Sequence, residues 1–184
     1  MLLGIEMSIS ERFPAVIDKG RECSFSIIEI YSNLNKHRES IKNNDELLTD
    51  IANRYVCGYP VPEFQRPLCW TVEQSVAFIE SIIIQLSIGT YTVHDSDFTS
   101  KGAIKFSGWL IDGQQRLYSL EQYFDSKFPV FGFYWSELTK AEKRKFLNIG
   151  FTQYKSALWD EELIRDLYNR LSFGGTAHKD NQRA

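Results

Sequence analysis

The stretch Asp112-Gly113-Gln114-Gln115-Arg116 constrains the fold of this chain more than any other. It follows the apolar run Gly108-Trp109-Leu110-Ile111 and precedes Leu117, Leu120 and Phe124 at helical spacing. A strand must therefore hand over to a helix at an Asp-Gly turn, the kind of junction where α/β layers hold anionic ligands. Connecting the two elements does not by itself require two amides and a guanidinium on an early helical turn.

The elements around this junction alternate without a long βαβ repeat. Ile27, Ile30, Tyr31 and Leu34 predict a helix over 27–41, broken by Asn43-Asn44-Asp45, which can cap a second helix carrying Leu47, Leu48 and Ile51. Gly58-Tyr59-Pro60-Val61-Pro62 must be extended, because its prolines lack N–H donors. Thr71 starts a helix with Val72, Val76, Ile79, Ile83 and Leu86 on one face, ended by Gly89. Thr90 to Val93 reads as a strand, Asp95 to Gly102 as a polar loop, and Ile104 to Ile111 as the strand that delivers the turn. Phe128 to Trp135 reads as an aromatic strand interrupted by Gly132. Thr139 and Glu142 form a capping box ahead of Lys140 to Leu147. Gly150 to Ala157 is a candidate strand, and Asp160 opens a last helix with Leu163, Ile164, Leu167, Tyr168 and Leu171 on one face. These elements predict one α+β domain over 1–184, a small mixed sheet surrounded by helices, with a peripheral arm or strand at 1–24 and a flexible tail at 179–184.

With 184 residues and 43% hydrophobic side chains, such a domain can bury a core. A net charge of -3 argues against a surface that binds polyanions everywhere and allows a local basic groove. Cys23, Cys57 and Cys69 are odd in number and lack metal-ligand spacing, so they read as reduced thiols in a cytoplasmic protein. The most apolar window, Ile79 to Ile88, holds Glu80 and Gln85 and falls short of the roughly 20 residues of a membrane span.

Three segments are candidates for one site. In the first, Gly113 lets a ligand approach the backbone, and Gln114 and Gln115 suit a base edge or a ribose. Arg116 offers a planar fork to phosphate, and Asp112 can hold Mg²⁺, orient a water or bind a sugar hydroxyl. The second is Gln65-Arg66, whose arginine would be a second cation for a polyphosphate. The third is Gly174-Gly175-Thr176, where a double glycine exposes backbone N–H groups. Each also has a plainer reading: a connecting turn, a solvated strand edge and a helix C-terminus, respectively. Lys140 to Lys145 is either a solvated helix face or a nucleic-acid patch. His94 with Asp95 and Asp97 reads as a polar loop before it reads as a metal site.

Taken together, the motifs resemble a known family. Val61-Pro62-Glu63-Phe64-Gln65-Arg66-Pro67-Leu68-Cys69-Trp70 resembles the "IPxFQRxxxW" opening of the N-terminal domain of GmrSD-type modification-dependent restriction enzymes and of phosphorothioate-sensing SspE proteins. Leu110 to Leu117 resembles the family's DGQQR motif, and Asn169 to His178 its later "RxNxGGTPH" segment, with Ser172 in place of Asn and Ala177 in place of Pro. The resemblance implies a ParB/sulfiredoxin-like α+β fold. It also implies nucleotide binding, often with NTP hydrolysis, coupled to DNA recognition or nicking. By resemblance Asp112, Gln114, Gln115 and Arg116 form the catalytic and nucleotide-contacting set. Gln65 and Arg66 then contact phosphate, and Gly174, Gly175 and Thr176 close the pocket. Larger members carry a C-terminal HNH nuclease domain. No His-Asn-His arrangement occurs in these residues, so double-strand cleavage does not carry over.

Three functional readings follow. The first is an NTP-hydrolysing domain in, or against, DNA restriction. The second is a module that binds nucleotide or modified DNA without turnover. The third is a small phage-type protein that acts on a host defence complex. Partners are thus nucleotide, DNA or a host or phage protein, with an oligomer left open and no membrane.

Overall fold

The structure, a computed structural model, describes residues 18–44, 52–99 and 102–173. The expected helix at Leu47, Leu48 and Ile51, the segment Gly174-Gly175-Thr176, the tail and most of the N-terminal arm lie outside these residues.

The architecture is α+β. Strands β1 (Arg21–Cys23), β4 (Tyr91–His94), β7 (Leu110–Asp112) and β8 (Gln153–Ser156) form a four-stranded sheet in the order β1-β8-β4-β7. β1 pairs antiparallel with β8, β8 parallel with β4, and β4 antiparallel with β7. The sheet is therefore mixed, and the end of the expected peripheral arm is its edge strand. Hairpins β2 (Tyr55–Val56) with β3 (Tyr59–Pro60), and β5 (Phe98–Thr99) with β6 (Gly102–Ala103), lie outside it. The second of these occupies the segment expected to be a polar loop.

The described helices are α1 (Ile27–Lys42), α2 (Val72–Ile83), α3 (Gln114–Phe124), α4 (Lys140–Leu147) and α5 (Glu161–Phe173). Capping boxes at Thr71–Gln74 and Thr139–Glu142 satisfy the first N–H groups of α2 and α4. Helix α2 stops at Ile84, before Gly89, where Gln85 turns left-handed. Its buried face is Ser75, Phe78, Ile79 and Ile82, rotated from the expected one; Val72 is 58% exposed. The rotation lets Ser75 face α3, where the Ser119 hydroxyl donates to Ser75 Oγ at 3.0 Å. Small side chains at that contact allow close helix packing.

Successive residues of β7 feed different cores, as a strand of period two requires. Leu110 joins the main cluster with Ile27, Ile79, Leu117, Leu120, Tyr123 and Phe151. Ile111 joins a smaller one with Phe106, Ile164, Leu167 and Tyr168. Two expectations fail nearby. The strand expected from Ile104 begins only at Leu110, because Ser107 and Trp109 close turns through their N–H groups and Phe106 is left-handed. Phe128 to Trp135 is not a strand of the sheet. Pro129 removes a donor, and Phe131 and Gly132 are both left-handed, so the segment turns back at a Val130–Phe133 bridge.

Candidate functional site

Asp112 ends β7, and Gly113 is the left-handed N-cap of α3 with φ 96°. A Cβ at Gly113 would lie 2.7 Å from Tyr91 Cβ on the neighbouring strand, so only glycine lets helix and sheet approach this closely. Gln114, Gln115 and Arg116 then fall on the first turn of α3.

The three glutamines knit the proline-rich segment onto this junction. Gln65 Nε2 donates to the carbonyls of Leu110 and Ile111. Gln114 Nε2 donates to Arg66 O at 2.6 Å. Gln115 Oε1 accepts the N–H groups of Cys69 and Trp70, and its Nε2 donates to Pro67 O at 3.2 Å. The proline-rich segment has few ladder partners of its own, so the Gln114 and Gln115 amides satisfy its backbone, while Gln65 reaches from it to β7. All three glutamines are buried.

The result is a polar cavity of about 160 Å³. Gln65, Arg66, Asp112, Gly113, Gln114, Gln115 and Arg116 all line it, so the first two sequence segments converge. Arg116 Nη2 bonds Asp112 Oδ2 at 2.7 Å, a pair spaced four residues apart and only partly exposed. The Gln114 Oε1 and Arg116 Nε atoms are buried without a hydrogen-bond partner among the described residues. Unpaired buried groups of this kind are costly unless something completes them. Among the described residues, Asp112 is the single carboxylate on the cavity wall. No group of three or more His, Cys, Asp or Glu side chains that could hold a metal occurs among the described residues.

Sequence reading missed further contributors. The Tyr168 hydroxyl accepts the Arg66 N–H at 3.1 Å, and Tyr168 and Trp70 line the cavity. Tyr168 lies in the apolar stripe of α5, which conceals its polar tip. Gly89 leaves room for the Arg116 guanidinium; a Cβ there would stand 3.2 Å from Nη1. Leu171 and Ser172 line the same cavity, just before Gly174-Gly175-Thr176, which lie outside the described residues.

A larger cavity of about 390 Å³ lies between α1, the β2–β3 hairpin and β8. Gln153 lines it and donates to the Tyr91 hydroxyl at 3.0 Å. Burial pushes Tyr59 up to about 12, so its hydroxyl stays protonated at neutral pH. Its described lining residues include no arginine, whereas Arg66, Asp112 and Arg116 all line the smaller cavity. His94 is not a metal ligand: both ring nitrogens lie 2.7 Å from backbone carbonyl oxygens, those of Asp95 and Leu158. No described helix is long and apolar enough to cross a membrane.

A family model described as the GmrSD restriction endonuclease, N-terminal domain, matches residues 44–182, well over half of the chain. No curated protein and no solved structure matches.

Proposed function

The chain belongs to the family of the GmrSD restriction endonuclease N-terminal domain, and from that premise we propose that its Arg66–Arg116 cavity binds the phosphates of a nucleoside triphosphate and hydrolyses it in the service of DNA restriction or its evasion. The observation that carries this reading is that Arg66, Asp112 and Arg116 line the same cavity, although the two arginines lie far apart in sequence. Two planar guanidinium groups suit phosphate oxygens. The cavity is smaller than the roughly 300–1,000 Å³ of enclosed small-molecule sites, so it fits the phosphates and leaves base and sugar outside.

Each residue then has a distinct task. Arg66 and Arg116 neutralise phosphate charge. Gln114 Oε1, buried on the cavity wall, accepts a hydrogen bond from the attacking water. Gln65 and Gln115 are positioning residues, since their amides are bonded to backbone. Asp112 keeps Oδ1 for a water. The water attacks the terminal phosphorus, the bond to the bridging oxygen breaks, and Asp112 takes up the proton while the arginines stabilise the leaving diphosphate. One carboxylate suits Mg²⁺, which takes most of its ligands from phosphates and water. When bound, the ion would add positive charge beside the phosphates.

Phosphate release by the purified protein tests this reading. Asp112→Asn should lower turnover by about a hundredfold to ten-thousandfold while triphosphate still binds. Equal turnover in both proteins discards the catalytic role. Tight triphosphate binding without phosphate release by the unmodified chain establishes the non-hydrolysing module instead.

A further inference from the structure

A second region, sharing no residue with the Arg66–Arg116 cavity, carries two exposed aromatic rings and, on the helix that packs against nearby Trp135, cations without an ion pair among the described residues. The rings sit on a tight turn. Val130 and Phe133 exchange N–H···O bonds of 2.9 and 3.0 Å, and the residues between them, Phe131 and Gly132, have φ of 48° and 83°. Positive φ at both central positions is the geometry that Asn-Gly or Gly-Gly occupies at least cost. Phenylalanine at the first is strained. Burial does not offset that strain, because Phe131 is 55% and Phe133 59% exposed.

Trp135 follows the turn, is buried, and anchors it beside α4. In α4, Lys140, Lys143, Arg144 and Lys145 form no ion pair among the described residues. The one acid of that helix, Glu142, is bound to the Thr139 N–H and hydroxyl. This stretch is therefore locally basic in a chain of net charge -3. Lys140, Lys143 and Arg144 line a groove of about 270 Å³ with Ile28, Tyr31 and Trp135. Lys143 Nζ lies 5.5 Å from the centre of the Trp135 ring.

Exposed rings two and four residues before Trp135, with cations on the helix packed against that tryptophan, match the needs of one ligand class. Single-stranded nucleic acid offers an unstacked π-face on every base and a phosphate between bases. A paired duplex offers phosphates but keeps its bases stacked. We propose that the Phe131–Phe133 turn and the basic face of α4 bind single-stranded DNA, bases stacking on the two rings and phosphates lying along Lys140, Lys143 and Arg144. DNA is the choice because the family acts in restriction. The proposal does not depend on triphosphate binding or turnover.

Fluorescence anisotropy with labelled oligothymidylate, against a duplex of equal length, tests it. The single strand should bind more tightly, with affinity falling as salt rises. Phe131→Ala with Phe133→Ala should weaken it about tenfold or more. Lys143→Ala with Arg144→Ala should also flatten the salt dependence. Phe131→Asn separates function from structure: asparagine suits the left-handed turn, so thermal stability should hold or rise while affinity drops. Arg66→Ala should leave DNA affinity unchanged. The proposal is overturned by no binding, by equal affinity for duplex and single strand, by unchanged affinity in the Phe131/Phe133 variant, or by loss of binding in Arg66→Ala alone.

Discussion

The carboxylate of Glu121 accepts the Cys57 backbone N–H at 2.6 Å and lies 3.9 Å from Arg38. Burial is the largest influence on it and raises its pKa above 4.5, outweighing that hydrogen bond and Arg38. A raised folded-state value means that folding favours the protonated acid. The resulting stability is complete below the unfolded value and is lost as pH climbs through the folded one. Glu121→Gln keeps an acceptor for the Cys57 N–H and removes the titration. Urea denaturation should show wild type losing stability relative to the variant as pH rises through and above the ordinary carboxylate range. Parallel pH curves would contradict this account. At the same scale, the sequence points to Gln65, Gln114 and Gln115 as a polar cluster but not to the task of each atom. A glutamine that clamps a proline-rich backbone and one that meets a ligand look alike until the carbonyls around them are placed.

Among the elements, the hand-over from β7 to α3 sets the site, because the first turn of α3 carries Arg116 and the strand end carries Asp112. Gly113→Ala would force a side chain into left-handed backbone and against Tyr91 Cβ. A loss of about 1–3 kcal/mol is expected in chemical denaturation, together with weaker triphosphate binding as the helix start shifts. A variant as stable as wild type would refute the close-approach argument. Helix starts were legible because capping residues act locally; Thr139 with Glu142 caps α4 as its spacing predicts. The buried face of α2 was not legible, since it is chosen by the serine contact with α3 rather than by the count of apolar residues. The aromatic run at 128–135 reads as strand by composition, and two consecutive left-handed residues override that.

Across the whole molecule, the sheet order β1-β8-β4-β7 brings together strands from both ends of the described chain. No local pattern encodes that order, and parallel pairing of β4 with β8 spans a long separation in sequence. The same topology explains why residue chemistry could nominate Arg66 and Arg116 for one site, and the order of three motifs could strengthen that, while no local pattern fixed their meeting. Gln114 to Arg66 O, Gln115 to Pro67 O and Tyr168 to Arg66 N are the bonds that realise it. The account stands on that meeting place being a phosphate cradle. Calorimetric titration of nucleoside triphosphate into wild type, Arg66→Ala and Arg116→Ala tests it most directly. Saturable binding by wild type, weakened about tenfold or more in each variant with folding intact, is the predicted result. Triphosphate binding of equal strength in all three proteins, or none in wild type with Mg²⁺ present, would contradict it.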